Sequence, residues 1–493
     1  MADSPDSKQW NTVDKDLNKI SQVEYATAYI SRPLVAPGVA LAFMVMAGLA
    51  AALLFGTTPV NMVVIAAAVI GAYMAINIGA NDVANNMGPA VGANALSMGG
   101  AIAIAAIFES AGALVAGGDV VSTISKGIID PTSVAETRAF IWAMMAALLS
   151  AALWINLATW VGAPVSTTHS VVGGVMGAGI AAAGLGAVNW PTMGAIAASW
   201  VISPVLGGVI AAAFLALIKS QILYQEDKIA AARRWVPILV AIMAGAFAAY
   251  LALKGLKKVL PITMQGALLI GLALGLVTYV VTRPLIARKS RGMENRNKSV
   301  KVLFSIPLVL SAALLSFAHG ANDVANAVGP LAAIVHASDM GGVADQVAIP
   351  VWVMVIGAFG ISFGLFLFGP KLIRMVGGQI TKLNPMRAYC VALSAAITVI
   401  LASWLGLPVS STHIAVGAVF GVGFFREWHM ARRRQMLNNA RPDPMRIAPE
   451  ERRRRKLVRR SHFLTIIAAW VITVPTAALM SSAIFVLLNS LIR

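Results

Sequence analysis

Apolar runs near twenty residues recur along the whole chain. They lie at about 36–56, 61–86, 99–118, 139–160, 165–187, 193–218, 235–253, 263–285, 301–328, 348–369, 388–405, 409–425 and 461–491. Helices of that length cross a hydrocarbon layer about 30 Å thick. A β-barrel would instead show short segments alternating every second residue, and these are absent. The pattern therefore predicts an all-α polytopic membrane protein. Composition agrees, with 58% of the 493 residues hydrophobic and 12% charged, against about 25% charged in soluble domains. The first 35 residues are polar and mixed in charge, a tail rather than a secretory signal. A single cysteine, Cys390, excludes an intrachain disulfide and a cysteine-based metal cluster, and reads as core packing.

Charge sets the expected topology. The net charge is +18, and residues 426–460, with 13 Lys/Arg and 4 Asp/Glu, supply half of it. A basic run can signal nucleic acid, but between apolar helices it reads as a cytoplasmic loop able to attract anionic headgroups. Basic loops at 219–234, 286–301, 371–387 and 426–460 are placed inside, and 331–347, which has no Lys or Arg, outside. Lys254, Lys257 and Lys258 object, falling on the outer side of the 235–285 hairpin.

Two phrases are written twice. GANDVANNMGP at 79–89 returns as GANDVANAVGP at 320–330, nine of eleven positions identical and 241 residues apart. PVSTTH at 164–169 returns as PVSSTH at 408–413, 244 apart, and WVISP at 200–204 is echoed by WVITVP at 470–475, 270 apart. With the topology above, the first acidic phrase runs inward and the second outward. This predicts an inverted-repeat helical bundle with broken helices and two re-entrant hairpins. The expected parts are a polar tail (1–35), a peripheral helix (36–56), a first repeat (61–218), a linking hairpin with its loops (219–300) and a second repeat (301–491).

An acidic residue inside a bilayer is a functional candidate by default. Asn81 and Asn85 share a helix face with Asp82 beside them, and Asn322, Asp323 and Asn326 repeat the pattern. Gly79 and Gly320 are expected to weaken the helix, and Gly88-Pro89 and Gly329-Pro330 to end it. The freed carbonyls, amides and carboxylates would make a hard-oxygen site suited to sodium; the bland alternative is polar glue between helices. Pro164 and Pro408 suit the first turn of a helix. Ser166, Thr167 and Thr168, with Ser410, Ser411 and Thr412, then stand at two helix starts, where free N–H groups and the dipole favour an anion. Ordinary capping is the competing role.

No Lys or Arg occurs between Arg32 and Lys126, Lys301 and Lys371, or Arg387 and Arg426. An oxyanion held there must rely on dipoles, hydroxyls, amides and a co-bound cation, because Asp82 and Asp323 would repel it unless neutralised. Glu109, inside an apolar run and aligned with Gly360 of the second repeat, is a candidate cation ligand, proton carrier or helix-pairing group. His169 and His413 read first as hydrogen-bonded structural histidines and second as proton relays. Lys126 reads as a solvated loop lysine, with anion attraction as the alternative.

The two phrase pairs resemble those of the inorganic phosphate transporter (PiT) family, over roughly 60–218 and 300–490. The resemblance implies an inverted-repeat fold, usually dimeric, that imports inorganic phosphate with a cation across the cell's inner (plasma) membrane. It implies cation and substrate roles for Asn81, Asp82, Asn322 and Asp323, and phosphate contacts from Ser166, Thr167, Thr168, Ser410, Ser411 and Thr412. Metal candidates are thus Asp82, Asp323, Asn85, Asn326 and Glu109, with sodium the co-transported ion and no resident cofactor. The GANDVAN wording is more like the sodium-coupled branch; proton-coupled phosphate transport and sulfate transport on the same fold remain alternatives. Asn86-Met87, where the second copy has Ala327-Val328, departs from the simplest pattern. An enzyme acting on phosphorylated lipid would need a nucleophile or metal triad, and no HExxH or His/Cys cluster occurs. A passive channel suits paired acid and anion sites poorly.

Overall fold

The structure is a computed structural model describing residues 34–130, 133–134, 136–161, 165–256, 260–340, 349–379, 383–439 and 460–491. The tail to residue 33, Pro164, Lys257, Lys258, residues 341–348 of the outer loop and 440–459 of the basic loop lie outside the described residues. Nearly all the rest is helical, and among the described residues eleven stretches are long and apolar enough to span a bilayer. This is a multi-pass membrane protein.

Helix α1 (Leu34–Phe55) precedes a run of six: α2 (Pro59–Asn81), α3 (Val83–Gly92), α4 (Met98–Ala116), α5 (Thr137–Val161), α6 (Thr167–Ala183) and α7 (Trp190–Ile218). A packed hairpin comes next, α8 (Lys228–Lys254) and α9 (Met264–Lys289). The second run is α10 (Ser305–Asp323), α11 (Ala325–Met340), α12 (Val351–Gln379), α13 (Pro385–Trp404), α14 (Ser411–Asn439) and α15 (Arg460–Leu491). Eleven of the thirteen predicted apolar segments appear as spans. The other two are α6, only 17 residues long, and α14, whose apolar start runs on into a basic end.

The acidic phrases break their helices, but not where the sequence predicts. α3 runs through Gly88-Pro89 and α11 through Gly329-Pro330. The breaks sit earlier, at Asp82 and Val324, and are slight: Asn85 N–H donates to Asp82 O at 3.0 Å and Ala327 N–H to Val324 O at 3.1 Å. The prolines remain inside because packing from neighbouring helices compensates in a membrane interior. Each proline still removes the fourth-residue donor from one carbonyl, that of Asn85 or Asn326.

Packing between the two runs is exchanged. α2 packs on α12 as α10 packs on α4; α6 on α15 as α14 on α7; α11 on α5 as α3 on α13. Glycines make these approaches possible. A Cβ on Gly79 would collide with the carbonyl oxygen of Ile361, and one on Gly320 with that of Glu109. Gly112 meets Phe317 as Gly364 meets Ile76; Gly177 meets Ala478 as Gly421 meets Gly208. Small residues at such crossings let backbones touch, the main source of helix association where lipid removes the hydrophobic drive. Gly79 and Gly320 thus serve close approach rather than unwinding. At the centre, Ser110 Oγ lies 2.8 Å from Ser362 Oγ, and these hydroxyls donate to the carbonyls of Ala358 and Ala106 respectively. These contacts match Glu109 with Ile361, one residue beyond the Gly360 expected from alignment. Contacts whose numbers rise together (Ala72–Gly360 and Ala80–Gly364; Gly112–Phe317 and Gly117–Val324) make α2–α12 and α4–α10 parallel, whereas Ala106–Ser362 and Ser110–Ala358 make α4–α12 antiparallel, so α2 and α10 run in opposite directions.

The close contacts predict that Gly177→Ala and Gly421→Ala lower the melting midpoint of purified protein by several degrees. Gly186→Ala, with nothing within 4 Å of its added Cβ, leaves the midpoint in place.

Candidate functional site

The two Ser/Thr phrases start helices that meet. Ser166 is the N-cap of α6: its Oγ accepts the N–H of His169 at 3.2 Å and lies 2.8 Å from His169 Nδ1. Ser410 Oγ accepts the N–H of His413 at 3.4 Å in the same way. The His169 ring stacks on Trp200 with centroids 3.8 Å apart and meets His413 edge-on at 4.9 Å. Trp200 Nε1 donates to the carbonyl of Pro408 at 3.0 Å, and Thr168 Oγ1 to that of Val409 at 3.0 Å. Ser166 and Ser410 therefore hold the helix starts in shape, and the next residues of each phrase face the acidic segments.

Asp82 joins both starts. Its Oδ2 accepts Thr167 Oγ1 at 2.7 Å and its Oδ1 accepts Thr412 Oγ1 at 3.2 Å. Asn85 Nδ2 donates to Thr412 Oγ1 at 2.8 Å, and Asn326 Nδ2 approaches Thr167 Oγ1 at 3.4 Å and Thr168 Oγ1 at 3.3 Å. The predicted cation phrase and anion phrase are thus one hydrogen-bonded knot rather than two adjacent sites. Asn322 fixes the chain ahead of α14. Its amide donates to Ser403 Oγ and the Leu407 carbonyl and accepts Val409 N–H.

Asp323, the counterpart of Asp82, is engaged differently. His319 Nε2 lies 2.9 Å from Asp323 Oδ2, and His319 Nδ1 lies 2.5 Å from Glu109 Oε2. Asn86 Nδ2 donates to Glu109 Oε1 at 2.9 Å. One ligand atom each from Asp82, His319 and Asp323 falls within 4.8 Å of the others, so the acids of both halves face each other across the imidazole. The positions equivalent to Glu109, His319 and Asn86 are Ile361, Ile78 and Ala327, so this polar chain exists in one half only. His319 was missed by sequence reasoning. Its signals were the four-residue spacing to Asp323 and Ile78 at the matching place in the first copy.

Several buried polar atoms of the set have no protein partner: Asn81 Nδ2 and Ser411 Oγ, and the acceptors Asp323 Oδ1, Asn326 Oδ1 and Asn86 Oδ1. Such atoms are rare in folded proteins. Donors of this kind suit an oxyanion, and oxygen acceptors beside a carboxylate suit a small hard cation.

A family model described as "Phosphate transporter family" matches residues 78–481, which contain both phrase pairs. The chain belongs to the phosphate transporter family. Among its relatives, a Helicobacter pylori protein named "Putative phosphate permease" is 45% identical over 96% of this chain and 99% of its own. A Pyrococcus abyssi relative of the same description is 36% identical over 85% of this chain and 96% of its own. A solved structure titled "The sodium-dependent phosphate transporter" superposes with a TM-score of 0.78 at 36% identity, covering 88% of this chain and all of that one. This member of the phosphate transporter family is a transporter and not an enzyme. Gly360-Ile361-Ser362-Phe363-Gly364 does spell GxSxG, but inside α12, with Ser362 bonded to Ser110 and a backbone carbonyl and lacking the strand-to-helix turn that exposes a nucleophile.

Thr412→Val removes one hydrogen bond to Asp82 and one from Asn85. It is expected to raise the half-saturating phosphate concentration about 3- to 10-fold, the worth of one hydrogen bond. Ser166→Ala removes a cap and should instead cost about 1 kcal/mol of stability while leaving half-saturation unchanged. Concentration-dependent uptake and thermal melts separate the two roles.

Proposed function

We propose that this chain is a sodium-coupled symporter that imports inorganic phosphate by alternating access between inverted repeats spanning 61–218 and 301–491. The observation that carries it is the double engagement of Asp82, whose carboxylate accepts a hydroxyl from each of the two helix starts. A carboxylate bonded into an oxyanion cradle makes anion entry depend on a cation that cancels its charge. Thr167, Thr168, Ser411 and Thr412, with the free N–H groups of α6 and α14, hold phosphate. Asp82, Asp323, Asn85 and Asn326 hold sodium. The exchanged packing and the opposed directions of α2 and α10 support the inverted repeat, and the sodium-dependent title of the structural neighbour supports the choice of ion.

Proton coupling has one observation in its favour, the buried Glu109–His319–Asp323 chain, which can hold and pass a proton within one half. Uptake of radiolabelled phosphate into proteoliposomes distinguishes the two. An inward sodium gradient is expected to drive accumulation, excess sulfate not to compete, and Asp82→Asn and Asp323→Asn each to abolish uptake while the protein still inserts. Accumulation under a proton gradient alone, lost in Glu109→Gln, would transfer the coupling to the Glu–His–Asp chain. Normal uptake by Asp82→Asn would remove the cation role altogether.

A further inference from the structure

Equivalent residues of the two halves are not equally covered. Asn81, Asn85 and Thr412 are half-buried, whereas their counterparts Asn322, Asn326 and Thr168 are fully buried. Pro89 and Val91 of α3 are half-buried, whereas Pro330 and Ala332 of α11 are buried. The site is thus open on the side of α3 and sealed on the side of α11.

The segments immediately after α4 and within the end of α12 account for the difference. The matches Ser110/Ser362 and Ala106/Ala358 fix an equivalence 252 residues apart, so Gly117-Gly118 corresponds to Gly369-Pro370. α12 continues unbroken through that pair to Gln379. α4 instead breaks at Gly117 and is followed by a short helix, Gly118–Ser122, and a π-helical turn, Thr123–Gly127. This segment lies back on α11. A Cβ on Gly117 would meet Val324 at 2.6 Å, and one on Gly329 would meet the Ile124 side chain at 2.6 Å. Thr123 stands against Gly406, just ahead of the second Ser/Thr start. A Cβ on Gly369 would touch only Leu365 and Ile373 of its own helix, which packs along α3 as one continuous rod. The far end of the broken segment is pinned by the Ile129–Val188 bridge, and its near end by an ion pair between Asp119 and Lys254 of α8.

We infer that residues 117–127 are the gate that seals the site from the outer face, latched by Asp119–Lys254. Residues 369–379 are its counterpart in the other half, which takes up the broken form in the opposite state. The inference rests on the alternating access proposed above and on the orientation that puts α3 on the cytoplasmic side. When one state of an inverted-repeat transporter is converted to the other, the two halves exchange conformations, and a broken and a continuous copy of one segment are the two states such an exchange needs. Each copy carries helix breakers at that place, a glycine pair in one and Gly-Pro in the other. An ion pair with Asp119 about half exposed contributes little to stability, as a latch broken once per cycle requires. The same pair gives Lys254 an acidic partner on the outer side.

The test uses full-length protein with Cys390→Ala. Oxidative cross-linking of Asp119→Cys with Lys254→Cys is expected to reduce phosphate uptake to a small fraction and reduction to restore it. In a second variant, Val328→Cys on the sealed side of α11 reports gate opening by reaction with a membrane-impermeant maleimide added outside. Asp119→Ala with Lys254→Ala should speed that labelling severalfold, whatever ion or anion is carried, so the gate is tested even if the phosphate or sodium assignment fails. Complete cross-linking with undiminished uptake, or labelling unchanged by loss of the latch, would overturn the gate.

Discussion

Two carboxylates from opposite halves of the chain lie within 4.8 Å of a shared imidazole and of each other, inside a membrane protein. No lysine or arginine lies in the segments that carry Asp82, Asp323 or the second Ser/Thr start. Two charges at that separation repel by roughly 3 kcal/mol even at an effective dielectric constant of about 20, and an incoming oxyanion adds to the imbalance. Everything distinctive about the site derives from that constraint. Hydroxyls and amides are committed to Asp82, a histidine is placed between Asp323 and Glu109, and several oxygens are left for a ligand the chain does not supply.

The frame and the chemistry obey different symmetries. Backbone packing is exchanged between halves almost residue for residue, because a helix can approach a neighbour's carbonyl so closely only where glycine stands. The polar groups are not exchanged. Asp82 binds Thr167 and Thr412, whereas Asp323 faces His319 and leaves Ser411 Oγ without a protein partner. Glu109, His319 and Asn86 stand where the other half has isoleucine, isoleucine and alanine. The scaffold is thus near-symmetric while the two carboxylates sit in different polar surroundings.

Much of this is legible in the sequence. Apolar run length gives the spans, and the repeated phrases give Asp82, Asp323 and the two helix starts. Other features were not legible, each for a physical reason. The helices do not end at Gly88-Pro89 or Gly329-Pro330, because proline inside a buried membrane helix is supported by its neighbours. Ser166 and Ser410 could not be separated from the threonines beside them, since capping and ligand binding use the same hydroxyl and only the partner decides. His319 escaped because it lies just outside the repeated phrase; the repeat hid the residue that makes the halves unequal. The helix break at Gly117 was likewise invisible, as a broken and a continuous helix are both compatible with the same apolar pattern.

Linkage between the two ligands tests the central claim most directly. Binding of radiolabelled phosphate to purified protein, measured against sodium concentration at fixed ionic strength, should tighten steeply as sodium rises. Sodium binding should in turn tighten by the same factor when phosphate is present, since coupling free energy is reciprocal. Phosphate binding of equal affinity in sodium-free buffer would contradict the account, because the cradle would then accept an anion beside uncompensated carboxylates.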